Sequence, residues 1–473
     1  MSSIYFLGIG GTAMASVAVA LSHSGHAVSG SDSALYPPMS TYLETHNIRY
    51  SNGYSEKNIL RALPDLVVVG NAVSRGNCEL EYALEHRIEL ISMPELVRRE
   101  LIAGNTSLVV TGTHGKTTTT SLLAWLLDNG GLKPGFLVGG IPENFSMGCR
   151  ASGMQEQGFF VTEGDEYDTA FFDKRSKFML YRPDIAIINN IEFDHADIFD
   201  SFEDILRSFR RFVNLIPRNG MLFVNGDDPA ACGVSEGAFC PVERFGFGEN
   251  CEWTARDISG DVERTTFTIC YRGKQEATLS VPLFGNYNIM NTLAAVAAAR
   301  HAGLGMESVA HALPLFRRPR RRMEITGGLQ SGVTLIEDFA HHPTAVRATL
   351  EAVAGLYRER RIIACFEPRS NTTTRNIFQQ ELAASFGPAS VVVMGKVHRP
   401  ERYAADLQLD MPRLGRELQE QGKTVFLAGS DPENYPQDIV GFLGTAIRKN
   451  DVVVLMSNGS FNNLKSLFLD NFG

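Results

Sequence analysis

Long apolar runs are missing from this chain. Nothing in its 473 residues approaches the ~20 consecutive apolar residues that cross a bilayer, which argues against stable membrane insertion. A basic segment followed by an apolar core and a cleavage site is missing from the start; Met1–Gly11 reads as a strand and a turn, so no signal peptide is expected. Cysteine pairs at metal-binding spacing are missing too. The seven cysteines, Cys78, Cys149, Cys232, Cys240, Cys251, Cys270 and Cys365, are odd in number and form no C-x-x-C. Neither a zinc site nor a disulfide framework is expected of them, and scattered reduced thiols fit a cytoplasmic protein. Excess positive charge is absent: 44 Lys and Arg stand against 53 Asp and Glu, a net of −9, which disfavours a general nucleic-acid or anionic-membrane binder. Internal repeats and low-complexity tracts are absent, and nothing points to an obligate protein partner.

What is present is ordinary globular composition, 44% hydrophobic and 21% charged, at a length that suggests about three domains. Strand-like runs alternate with helix-like runs, which argues for α/β architecture with mainly parallel sheets. Strands are expected at 4–7, 65–69 and 107–111, and helices at 14–21 and 117–128. Over 202–216, Phe202, Ile205, Leu206, Phe209, Phe212, Val213 and Ile216 fall on one helical face, with Arg207, Arg210 and Arg211 mostly off it. Domain boundaries are expected near Gly104–Thr106, where a new strand–loop–helix unit starts, and in the Pro- and Arg-rich stretch 314–322. The expected domains are 1–105, 106–316 and 317–473.

Two glycine-rich loops open two of these domains. Gly8-Ile9-Gly10-Gly11-Thr12-Ala13 follows a strand, opens a helix, and has Asp32 about 20 residues further on. Glycines let backbone approach a pyrophosphate, and a helix N-terminus attracts it. A tight turn without a ligand is the other reading, and the loop does not say which nucleotide it would take. The second loop, Gly112-Thr113-His114-Gly115-Lys116-Thr117-Thr118, has a strand before it and a helix after. Its backbone N–H groups would cradle a triphosphate, Lys116 would face the β- and γ-phosphates, and the Thr117 hydroxyl could reach Mg²⁺. Val110 stands where the commoner loop has a further glycine. Alone, the first loop would admit a nicotinamide dehydrogenase and the second a non-catalytic nucleotide switch.

Acidic clusters follow two more strands. Thr162-Glu163-Gly164-Asp165-Glu166-Tyr167-Asp168 offers carboxylates suited to Mg²⁺, or else a solvated loop. Asn189-Asn190-Ile191-Glu192-Phe193-Asp194-His195 leaves the strand at 185–188. Strand C-termini of one parallel sheet gather at one edge, so both clusters can face phosphates held by Lys116. Lys174, Arg175 and Lys177 read as a basic loop, either solvated or facing a substrate carboxylate. The arginines at 317–322 read as a hinge with one or two phosphate-facing side chains.

With these motifs in hand, the chain resembles the Mur ligases. T-G-T-H-G-K-T-T-T at 111–119, T-E-G-D-E-Y-D at 162–168 and N-N-I-E-F-D-H at 189–195 match that family. So do Asn288-Ile289-Met290-Asn291, Arg321-Arg322-Met323-Glu324 and 338–344, in the family's order. The resemblance implies a Rossmann-like N-terminal domain, a central P-loop ATPase-type domain and a C-terminal Rossmann-like domain that binds the amine substrate. It implies amide formation on a UDP-muramoyl carboxylate at the expense of ATP, with Mg²⁺. Stretches 36–40, 171–178, 367–372 and 456–459 resemble the branch that joins UDP-N-acetylmuramate to a salvaged murein tripeptide, L-alanyl-γ-D-glutamyl-meso-diaminopimelate; addition of L-alanine alone is the alternative.

The family also implies roles. Gly8, Gly10, Gly11, Asp32, Asn71, Ser74 and Arg75 would serve the UDP-muramate. Gly112 to Thr118, Asn288, Asn291, Arg322 and Asp338 would serve ATP, with Lys116, His195 and Arg322 catalytic. Thr117, Glu163 and His195 would ligate metal, and Arg369, Ser370 and Asn371 would bind peptide. Tyr287 stands where relatives often have His. The stretch 205–213 has no lysine, so no carbamylated lysine is expected. Glu163 and Glu166 compete as first metal ligand, the base for the amine is unassigned, and His341 and His342 are capping or catalytic.

Overall fold

The computed structural model describes residues 1–153, 157–327, 329–429, 431 and 434–473. Among the described residues three large sheets follow one another along the chain, beside a two-stranded one. The first has five parallel strands in the order Arg49–Asn52, Ala27–Asp32, Ser3–Leu7, Leu66–Val69, Glu89–Ser92. Ile4 to Leu7 and Leu66 to Val69, on two adjacent inner strands, are buried throughout, as strands covered on both faces must be. Helix Thr12–His23 buries Met14 to Leu21 against it.

The second sheet has ten strands. At its centre Thr106–Thr111 lies between Ile185–Ile188 and Phe159–Gly164, parallel to both. The register puts Thr111 opposite Ile188 on one side and Gly164 on the other. Three chain segments therefore leave the sheet at one level, and this alone gathers the phosphate loop and both acidic clusters. Helix Lys116–Asn129 buries Leu122, Leu123, Leu126 and Leu127 in the same core as Leu293 to Ala299 of helix Asn286–His301. At one end the sheet continues as antiparallel strands Trp253–Gly260, Thr265–Tyr271 and Lys274–Val281. The last two are joined at Arg272 and Gly273, both at positive φ, 49° and 80°, as a tight hairpin turn requires.

The third sheet has six strands, with Glu324–Thr326 antiparallel on the edge of an otherwise parallel set. Among the described residues no helix is long and apolar enough to cross a membrane.

The amphipathic helix expected over 202–216 spans Phe202–Val213, capped by the Ser201 hydroxyl accepting from Asp204 N–H. Ile205, Phe209, Phe212 and Val213 are buried, but Phe202, on the first turn, is exposed. The basic loop expected at 174–177 is a correction. Asp168–Ala170 and Asp173–Ser176 form an antiparallel hairpin running into a helical turn at Lys177–Leu180. Lys174 pairs with Asp168 at 2.6 Å, Arg175 with Asp173 at 2.7 Å and Lys177 with Asp165 at 2.6 Å. These cations already have carboxylate partners.

Candidate active site

The phosphate loop turns at Gly112 (φ 123°) and Gly115 (φ 81°), backbone that side-chain-bearing residues rarely adopt. Asn190 ties it down: its carbonyl accepts from Thr113 N–H at 3.0 Å and its Oδ1 from His114 N–H at 2.8 Å. Thr113 Oγ1 accepts from Glu192 N–H at 2.8 Å. No side chain caps helix Lys116–Asn129, so its first turn presents backbone donors to an anion. Thr118 is buried on that turn.

Asn288 and Asn291 lie under the loop, both buried. Asn288 Nδ2 donates to Phe284 O at 2.8 Å and Asn291 Nδ2 to Asn288 Oδ1 at 3.1 Å. Asn291 Oδ1 accepts from Thr119 Oγ1 at 3.2 Å, and Thr119 accepts from Asn189 Nδ2 at 3.1 Å. The amides thus brace the nucleotide loop from within. Thr119 and Asn189 belong to this brace; both stand in the motifs at 111–119 and 189–195, but nothing in the sequence shows that they meet. Asn291→Ala is expected to cost about 1–3 kcal/mol of stability, since it strips partners from buried polar groups. Chemical denaturation would measure it, and a loss below about 0.5 kcal/mol would remove the bracing role.

Lys116 Nζ donates to Gly112 O at 2.6 Å and Glu166 Oε2 at 2.8 Å. Burial would lower its pKa, but Glu166, Asp165 and Glu163 outweigh burial and hold it above the ordinary lysine value. Thr117 Oγ1 donates to Glu163 Oε2 at 3.2 Å, while Gly139 N–H holds Glu163 Oε1 at 2.7 Å. Burial pushes the Glu163 carboxyl up, against the pull of that N–H, Lys116 and Arg322.

His195 sits at φ 54°, a left-handed conformation that is uncommon for a non-glycine residue. Its Nε2 is 3.3 Å from Glu166 Oε1. Burial would lower its pKa, yet Glu166, Asp194 and Asp165 push it up to about 9. Asp165, half-buried, lies well below the usual carboxylate range because Lys177 and Lys116 face it. Ligand atoms of Asp165, Glu166 and His195 converge within 4.8 Å. Two carboxylates and one imidazole, with Thr117 and Glu163 alongside, are a donor set that fits divalent cations of the Mg²⁺ type.

The third domain closes on this edge. Arg322 Nη2 donates to Thr117 Oγ1 at 3.2 Å, and its guanidinium lies 4.6 Å over the Phe339 ring. Asp338 accepts from Met323 N–H at 2.7 Å and Ala340 N–H at 2.8 Å, so it fixes the turn that carries Arg322. Thr372 Oγ1 donates to Asp194 Oδ1 at 2.6 Å, and Asn371 Nδ2 to Asp197 Oδ2 at 2.8 Å. Ser370 pairs with Thr373 at 2.7 Å, and Arg369 is 3.4 Å from the buried Glu367.

In the first domain, Gly10 N–H donates to Asp32 Oδ2 at 2.9 Å, and Ser33 N–H to Asp32 Oδ1 at 2.7 Å. Asp32 therefore braces its own loop. Gly11 opens helix Thr12–His23 with no side-chain cap. A Cβ on Gly8 would lie 3.5 Å from Val73 Cγ2, so the loop carrying Asn71 and Ser74 adjoins the glycine loop. Arg75 is exposed and forks onto Glu81 at 2.9 Å.

Comparison with known proteins agrees with this geometry. Residues 3–103 match the model described as Mur ligase family, catalytic domain. Residues 110–299 match the Mur ligase middle domain, and 321–459 the Mur ligase, glutamate ligase domain. A UDP-N-acetylmuramate–L-alanyl-γ-D-glutamyl-meso-2,6-diaminoheptandioate ligase of Haemophilus influenzae is 37% identical, over 99% of this chain and 99% of that one. Its namesake from Escherichia coli is 38% identical, over 99% and 97%. The crystal structure of a murein peptide ligase from Psychrobacter arcticus aligns with TM-score 0.73 and 34% identity, covering 100% of this chain and 98% of that one. A UDP-N-acetylmuramate–alanine ligase from Thermotoga maritima shares the fold at TM-score 0.80 with 22% identity. With the three models falling in order on the three sheets, and relatives above 30% identity end to end, the chain belongs to the Mur ligase family.

Proposed function

We propose that this enzyme joins UDP-N-acetylmuramate to the tripeptide L-alanyl-γ-D-glutamyl-meso-diaminopimelate, using ATP, in peptidoglycan recycling. One observation supports it above the rest: Lys116, Thr117, Glu163, Glu166 and His195 share one sheet edge, and Arg322 and Thr372 of the third domain reach it directly.

A carboxylate is a poor electrophile because it would have to expel oxide. In the reading proposed here a muramoyl carboxylate oxygen attacks the γ-phosphorus, ADP leaves, and an acyl phosphate forms. The peptide amine then attacks the acyl carbon, loses a proton, and phosphate departs. Lys116 and the helix N-terminus behind it hold the phosphates and answer the charge that builds on the phosphoryl oxygens. Arg322 adds a second cation beside Thr117. Mg²⁺ held by Thr117 and Glu163, and by His195 with its acidic neighbours, would supply further charge neutralisation there. The Gly8–Gly11 loop with Asn71 and Ser74 would take the UDP end. Arg369, Ser370 and Asn371, beside Asp197, would take the peptide. The domains would run 1–105, 106–316 and 317–473, and the enzyme would work in the cytoplasm.

The test is the acceptor. ADP release with UDP-N-acetylmuramate present is expected to rise with the tripeptide and to stay near background with free L-alanine. The reverse preference would replace this reading with L-alanine addition.

A further inference from the structure

Among the described residues two groups of side chains present convergent metal-ligand atoms. One is the Asp165, Glu166 and His195 group above. The other is His114, Glu192 and His342, and the chemistry proposed above makes no use of it as a group. His114 lies in the phosphate loop, Glu192 follows the strand Ile185–Ile188, and His342 starts helix Pro343–Leu356 of the third domain.

Glu192 Oε2 is 3.0 Å from His114 Nε2 and 3.2 Å from His342 Nδ1. Ligands on a tetrahedral ion with bonds of about 2.0 Å stand about 3.3 Å apart, so the two spacings from Glu192 match, and the two imidazole nitrogens lie within 4.8 Å of each other. His342 is buried, and its Nε2 lies 3.2 Å from Phe193 O, a hydrogen bond it can make only by donating. A backbone carbonyl on the far nitrogen is the usual way a ligating imidazole is oriented. The neutral ring then turns the Nδ1 lone pair toward Glu192. Two acceptors 3.2 Å apart repel unless something positive lies between them. That one lone pair also accepts a long 3.3 Å bond from Thr344 N–H, which a bound ion would displace.

We propose that His114, Glu192 and His342 form a site for a transition-metal dication of the Zn²⁺ type, with an open fourth position, bridging the central and third domains. Two imidazole nitrogens select such an ion over Mg²⁺, which prefers oxygen. Both domains supply ligands, so the bound ion holds the third domain closed on the phosphate loop. Opening to release product is then slowed, and micromolar Zn²⁺ inhibits turnover even in millimolar Mg²⁺.

Equilibrium dialysis of the full-length protein against Zn²⁺ in excess Mg²⁺ tests this. One equivalent per chain is expected, lost in His342→Asn and in Glu192→Gln. The asparagine can still accept from Thr344 N–H, so the helix keeps its cap. Absence of stoichiometric Zn²⁺ under excess Mg²⁺, or its persistence in both folded variants, overturns the proposal. Should the variants fail to fold, Co²⁺ in the unsubstituted protein decides. An intense visible band of a four-coordinate nitrogen-containing site supports it, and the weak spectrum of six-coordinate oxygen ligation overturns it.

Discussion

Lys116→Ala is expected to lower kcat for ligation by at least ~10²-fold, the loss seen when one preorganised charge contact to a transition state is removed. The side chain is largely buried and anchored at both ends of its reach, on Gly112 O at 2.6 Å and Glu166 at 2.8 Å. Its acidic neighbours keep it charged through the working pH range. An ammonium fixed before the reaction needs no reorganisation as charge grows on the phosphoryl group, which is why its loss should fall on kcat more than on KM. Removal also leaves Glu166 without its nearest cation. His195, 3.3 Å away on the other carboxylate oxygen, and Lys177, on Asp165, still balance the cluster, so the variant should fold. The measurement is ADP and product formation by protein whose circular dichroism matches the parent. Near-normal ligation by such a protein would remove Lys116 from the chemistry.

The parts of this site that were legible in the sequence are contiguous. The phosphate loop announces itself because glycine, lysine and threonine act there through neighbouring backbone and one short helix. The two acidic clusters were placed correctly because parallel strands deliver their C-termini to one edge, and the register of Thr111 with Ile188 and Gly164 does that here. What was not legible depends on partners far off in the chain. Asn291 meets Thr119 across 172 positions, and spacing on its own helix says nothing of that. Thr372 finds Asp194 across 178 positions. His341 and His342 could not be separated in the sequence. In the structure His342 caps a helix and faces Glu192, while His341 Nε2 lies 3.9 Å from Asp194. Arg75 and the cations at 174–177 are the reverse case. A local run of charge looked available to a ligand, yet acids between two and twelve residues away already hold it.

Gly115→Ala is expected to remove most nucleotide binding and to destabilise the fold, for two separable reasons. The first is backbone. At φ 81° an alanine pays about 1–2 kcal/mol relative to glycine. The second is space. A Cβ there would fall on Asn291 Oδ1, well inside contact distance, and lie 2.9 Å from Asn189 Nδ2. Neither amide can yield easily. Asn291 is held by Thr119 and Asn288, and Asn189 by Thr119 at 3.1 Å and His114 O at 3.3 Å. Relief must come from the loop, which would lift away from Asn190 and spoil the phosphate cradle. Overpacking of this kind adds about 1–3 kcal/mol. Gly131 supplies the control: it lies just beyond the same helix at φ 83°, with nothing within 4 Å of its would-be Cβ. Gly131→Ala should therefore show the backbone cost alone and leave ATP affinity unchanged. Thermal denaturation and ATP titration of both variants separate the two contributions. Equal losses for the two glycine variants would mean that the asparagine brace does not shape the loop.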